Sequence, residues 1–216
     1  APPEARFCPT CGTALVTRPD ERRVATIVFG DLVGFTAFSE SADPEQVKRL
    51  VDTCFEAMSG DVLAYGGRVD KIVGDEIVSI FGAPVAHEDD AERAVRCALQ
   101  MQRTLASLRE HLGADVEMRV GVNTGEVLVG ALRGGSDFTA MGDVVNTASR
   151  LQSAAAPGQV LVGPLTEAAT RDSIRYEPLG PLQMKGRDVA VEAWVALETV
   201  APPGGRRRSR ARTPIV

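Results

Sequence analysis

Between residues 24 and 122 the chain switches repeatedly between two apolar periods, and the order of those switches constrains its fold more than any other feature. Val24–Phe29 is a short apolar run with β-branched residues, flanked by charge and glycine, which reads as a buried strand. A helix follows: Asp43 can cap it, Pro44 suits its first position and Gln46 sits where a capping box wants it. Val47, Leu50, Val51, Cys54, Phe55 and Met58 then recur at helical spacing, and Gly66-Gly67 ends the segment. Two short strands, Arg68–Val73 and Ile77–Phe81, meet at Gly74-Asp75, a hairpin signal. A second long helix begins near Asp89-Asp90, with Ala91, Ala94, Val95, Ala98, Leu99, Gln102 and Leu105 on its inner face. Val116, Met118, Val120 and Val122 alternate with Glu117, Arg119 and Gly121, as in a half-buried strand.

This β-α-β-β-α-β order is the ferredoxin-like arrangement, and the fold class is α+β. Further strands at Glu126–Leu132 and Gln159–Val162 are expected to flank a third helix from about Asp143, with a last strand at Val191–Leu197. The expected organisation is a segment 1–21, a folded body 22–198 and a Pro/Gly/Arg linker 199–216.

Composition excludes several classes. With 24 Lys and Arg against 29 Asp and Glu the net charge is −5, so a general nucleic-acid binder is not expected. Five of the positive charges lie in Arg206–Arg212, which leaves −10 on the rest and reads as a solvated linker. No apolar run approaches the roughly 20 residues of a membrane helix, and no secretory signal is visible, so a cytoplasmic location is expected. Four cysteines are too few and too unevenly placed for a disulfide scaffold. Cys54 and Cys97 fall on inner helix faces and read as small buried apolar residues. Cys8-Pro9-Thr10-Cys11 is half of a zinc-ribbon pattern, able to hold Zn²⁺ only if ligands outside this chain complete it. His87 and His111 have no partner at metal spacing and read as surface residues.

The candidate chemistry starts with carboxylates. Asp31 follows the first strand and Asp75 sits at the hairpin turn. In this topology the two approach one another, and two carboxylates with phosphate oxygens and water suit Mg²⁺. Each taken alone is an ordinary turn former. Gly34 lets backbone approach a ligand, and the N–H groups around Phe35 and Thr36 enter a helix start, a natural anion site. No P-loop motif is present. Asn146 and Arg150 stand i,i+4 on one helix face, where an amide and a guanidinium can meet ribose and phosphate oxygens; a solvated helix face has the same pattern.

Four segments together resemble the catalytic domain of class III nucleotidyl cyclases, the adenylate and guanylate cyclase family: Val28–Thr36, Lys71–Glu76, Gly121–Glu126 and Gly142–Leu151. They stand in family order and spacing. The resemblance implies that Asp31 and Asp75 bind two Mg²⁺ (or Mn²⁺), with the Leu32 carbonyl as an extra ligand. It implies that Lys71 and Thr139 read the purine. Asn146 then orients the ribose, and Arg150 neutralises the phosphate under attack. Lys185 contacts the triphosphate, a role Arg187 can also fill. Lys can donate to an adenine ring nitrogen and Thr can accept from the amine, so ATP is the implied substrate; guanine readers would carry Glu and a small residue. The subgroup with Thr at this position implies bicarbonate stimulation. Because the family draws the aspartates from one protomer and Lys71, Asn146 and Arg150 from the other, a homodimer with two composite sites is implied. The N-terminal half-ribbon resembles that of bacterial multidomain cyclases. Two enzyme alternatives and one other stand beside this reading. A GGDEF-type diguanylate cyclase lacks support because Val73, not Gly, precedes Gly74-Asp75-Glu76, and the Asn146/Arg150 helix has no place in it. A guanylate cyclase, or a non-catalytic cyclase-like sensor and dimerisation module, remains.

Overall fold

The computed structural model describes residues 21–33, 43–112, 116–131, 138–183 and 190–203. Its elements are β1 (Glu21–Val33), α1 (Pro44–Ala64), β2 (Arg68–Val73), β3 (Glu76–Phe81), α2 (Asp90–Leu112), β4 (Glu117–Ala131), β5 (Phe138–Met141), α3 (Asp143–Ala154), β6 (Val160–Val162), α4 (Pro164–Thr170), β7 (Ile174–Leu182) and β8 (Val191–Thr199). One sheet carries them in the order β2-β3-β1-β4-β6-β8-β7, with β5 paired to β4. Its β2-β3-β1-β4 portion is the expected ferredoxin-like unit, with β1 antiparallel to both β3 and β4.

Local signals explain most boundaries. Asp43 accepts a hydrogen bond from the Glu45 backbone N–H at 2.9 Å, and Pro44 occupies the first turn of α1. Gly74, at φ +64°, opens the two-residue turn between β2 and β3. On one side of the sheet Leu50, Cys54, Met58, Ala94, Val95, Ala98 and Leu105 of α1 and α2 pack on Val28, Leu32, Ile77, Met118 and Val120. On the other side α3 covers Ile27, Phe29, Val78, Ile80 and Val127 through Val144, Val145 and Ala148. Cys54 and Cys97 are buried thiols, and burial pushes the pKa of each upward.

The sequence reading of two strands on either side of Asn123-Thr124-Gly125 is corrected to one 15-residue strand, β4. Gly121 and Gly125 both lie within this strand, where their missing side chains make room for α3. A Cβ on Gly121 would stand 2.2 Å from the Ala148 carbonyl oxygen, and one on Gly125 2.7 Å from Val144. Three elements went unread: β5 is only four residues, α4 only seven, and β7 carries Pro178, Gly180 and Pro181, tolerable in an edge strand.

The chain enters β1 and leaves β8 beside the first turns of α2. Arg23 donates to the carbonyls of Gly82 and Pro84 in the loop before α2. The largely buried Arg96 of α2 donates from Nε to Glu92 at 2.7 Å and from Nη2 to the Ala201 carbonyl at 2.5 Å. His87 is an exposed residue whose Nδ1 lies 3.3 Å from Asp90 Oδ1. Among the described residues no helix is long and apolar enough to cross a membrane.

Candidate active site

Asp31 lies near the end of β1, opposite Glu76 of β3 on one side and Arg119 of β4 on the other. Directly paired residues of antiparallel strands point to the same face, so Glu76, Asp31 and Arg119 form one row across three strands. That row lies on the face that α3 covers further along, beyond Phe29. Asp75 joins from the β2–β3 turn: its carbonyl accepts the Leu32 backbone N–H at 3.0 Å, tying the hairpin tip to the end of β1. The backbone of Asp75 is therefore held beside the end of β1, next to the residue that follows Asp31.

Their charges are felt locally. The Glu76 carboxyl is held above the usual carboxylate range, first by burial and then by the negative charges of Asp31 and Asp75, with Lys71 pulling the other way. Arg119 answers the excess charge; its Nη2 donates to Asp31 Oδ2 at 2.5 Å. Neither Arg119 nor Glu76 was singled out from the sequence. The signal for Arg119 was present in the alternation of Glu117, Arg119 and Gly121, but its pairing with Asp31 depends on the β1–β4 register. Among the described residues no three His, Cys, Asp or Glu side chains are grouped closely enough to hold a metal ion. Two carboxylates and a backbone carbonyl would leave coordination positions for phosphate and water, a donor set that suits Mg²⁺ or Mn²⁺, while the Asp31 carboxylate is paired with the Arg119 guanidinium.

Lys71 lies on the exposed β2 strand opposite Val78, hence on the same sheet face as Asp31, and its Nζ is 3.5 Å from Asp70 Oδ2. Asn146 and Arg150 lie elsewhere. The residues of α3 buried against the sheet are Thr147, Ala148, Leu151 and Gln152. At about 100° per residue Asn146 and Arg150 fall on the opposite side of that helix, pointing away from β1 and β4. The helix is seated by Gly121, whose missing side chain admits the Ala148–Gln152 backbone. The structure thus brings Asp31 and Lys71 to one sheet face, sets the Asp75 backbone beside the end of β1, and turns Asn146 and Arg150 away from the sheet. Thr139 is placed by its backbone, opposite Gly130 in the β4–β5 pair. Gly34, Phe35, Thr36, Lys185, Cys8 and Cys11 lie outside the described residues.

Residues 18–197 match the family model described as adenylate and guanylate cyclase catalytic domain. Adenylate cyclase 1 of Rhizobium meliloti is 32% identical over 187 residues, covering 83% of this chain and 28% of that protein. An adenylate cyclase of Mycobacterium bovis is 30% identical over 197 residues, covering 90% of this chain and 44% of that protein. The chain therefore spans less than half the length of these relatives. Among solved structures, the adenylyl cyclase CyaB from P. aeruginosa superposes with a TM-score of 0.81 at 32% identity, covering 84% of this chain and 97% of that one. The guanylyl cyclase Cya2 does so with 0.80 at 33% identity, covering 85% and 96%. The family model spans most of the chain, and relatives of 30% identity or more and solved cyclase structures share its sequence and its fold; this chain belongs to the class III adenylate and guanylate cyclase catalytic domain family.

Proposed function

We propose that the chain converts ATP to 3′,5′-cyclic AMP and pyrophosphate at composite sites formed by two copies of itself. The observation that carries this is the opposed facing of its two half-sites. Asp31 and Asp75 gather at the end of β1, while Asn146 and Arg150 of the same chain point away from that sheet face. A second copy related by a two-fold axis would present its α3 to the aspartates of the first, and the reverse.

In this reading Asp31, Asp75 and the Leu32 carbonyl hold two Mg²⁺ or Mn²⁺ ions. When bound, these supply Lewis-acid activation of the ribose 3′-hydroxyl and charge neutralisation on the triphosphate. Arg150 stabilises the charge that grows on the α-phosphate as the 3′-oxygen attacks phosphorus and pyrophosphate leaves. Asn146 orients the ribose so that oxygen and phosphorus are aligned. Gly34, Phe35, Thr36 and Lys185 receive the phosphates. Lys71 donates to an adenine ring nitrogen and Thr139 accepts from the exocyclic amine.

ATP rather than GTP rests on Lys71 and Thr139, since overall likeness to the adenylyl and guanylyl cyclase structures is nearly equal. Bicarbonate stimulation and cytoplasmic action belong to the same reading; activity indifferent to bicarbonate at constant pH removes the first.

Complementation is the test. D31A and R150A proteins, each inactive alone, are mixed and assayed for cyclic product from ATP and from GTP. Each mixed dimer regains one intact site, so activity should return to about a quarter of wild type, with ATP preferred. Mixed dimers that form without regaining activity would sink the composite site, and GTP preference would make the chain a guanylate cyclase.

A further inference from the structure

The ladder between β2 and β3 is interrupted at one residue. From the turn outward, Val73 pairs with Glu76, Ile72 with Ile77 and Lys71 with Val78; then Val69, not Asp70, pairs with Ser79. Asp70 is the extra residue of a β-bulge. The two-residue turn fixes the register of Lys71, which stands opposite Val78 on the face of Asp31 and Glu76, and Asp70 is the unpaired residue next to it.

The inserted residue is bound to its neighbours through its side chain. Its side chain is 5% exposed, and its two carboxylate oxygens are taken from either side. Arg68 Nη2 is 3.3 Å from Oδ1, and Lys71 Nζ is 3.5 Å from Oδ2. Lys71 itself is half exposed, at 49%. A buried carboxylate requires such partners, and in taking Lys71 as one of them it restrains the direction of a long side chain. An ammonium has three donors, so a tether to Asp70 leaves others for a ring nitrogen.

We propose that Asp70 is a positioning residue for nucleotide choice. Its carboxylate, set beside Lys71 at the bulge, holds the Lys71 ammonium in the direction that meets the purine. This rests on the reading of Lys71 as the purine contact.

The full chain is compared as wild type, D70N, K71A and the double variant, with KM and kcat for ATP and for GTP and a thermal melt for each. K71A should cut the preference for ATP over GTP about tenfold, and D70N about threefold, chiefly through KM for ATP. The double variant should be no less selective than K71A alone, because Asp70 acts through Lys71. D70E, which keeps the charge, should recover most of the selectivity, and it decides the matter if D70N fails to fold. A D70N protein that melts earlier yet keeps its ATP preference would confine Asp70 to a structural role and overturn the proposal. So would losses that add in the double variant, or a folded D70E as unselective as K71A. A K71A protein with unchanged preference would instead remove the purine reading of Lys71, and this proposal with it.

Discussion

The end of β1 and the outer face of α3 carry the two groups of residues proposed to act on the nucleotide, and they are built on different principles. At the β1 end, Asp31 is fixed by pairing on both sides, Asp75 is tied by a backbone hydrogen bond to Leu32, and Arg119 already compensates charge. A metal site needs its carboxylates close together before the metal arrives, and close carboxylates repel unless a cation or a proton relieves them. The α3 face carries no such crowding. Its helix is seated on Gly121 and Gly125, and that seating turns Asn146 and Arg150 outward, away from the sheet. Strands supply closeness here, and the helix supplies reach.

The contrast can be broken most directly by separating metal binding from turnover. Replacing Asp31 with Asn should lower turnover at least 10³-fold and weaken Mn²⁺ binding, followed by electron paramagnetic resonance. Replacing Arg150 with Ala should lower turnover about 10²- to 10³-fold and leave Mn²⁺ binding unchanged. Equal loss of Mn²⁺ binding in both would mean the two regions are not independent. A smaller effect is expected from Gly121→Ala. Its new Cβ would stand 2.2 Å from one α3 backbone atom and 2.3 Å from another, neither of which can rotate aside. Stability should fall by about 3 kcal/mol, a Tm loss of roughly 10 °C, with turnover falling more than Mn²⁺ affinity. An unshifted melt would show that α3 is not seated as described.

The smallest effect concerns the carboxylate crowding itself. Folding raises the Glu76 pKa, so the native state binds that proton more tightly than the unfolded chain. The stability this contributes is fully present below the unfolded value of about 4.3, and is lost as pH rises through the raised native value. With a chelator present, Glu76→Gln should therefore raise Tm by about 1–3 °C at pH 7.5, and the gain should shrink near pH 4. A variant that melts no higher than wild type at pH 7.5 would deny the repulsion.

What was legible in the sequence follows the same division. Apolar periodicity reports which side of an element is buried, so β1, α1, the β2–β3 hairpin, α2 and the start of α3 were readable, as was the placing of the hairpin turn beside the end of β1. Register is not written in periodicity. The cation on Asp31 was invisible because Arg119 is 88 residues away in the chain and meets it only across a ladder. The inserted Asp70 was invisible because a bulge changes pairing without disturbing composition. The break read between Val122 and Glu126 is absent because Gly125 makes room for Val144 within one continuous strand.

The points where the chain joins the sheet and leaves it have a consequence for control. Glu21 and Ala201 both lie beside the first turns of α2, whereas Asp31 stands ten residues further along β1, roughly 33 Å away at about 3.3 Å per residue. Whatever is joined to either side of this domain is therefore attached at the far end of the beam that carries the aspartates. An influence arriving there would reach the aspartates as a displacement of β1 or α2 rather than by direct contact with them.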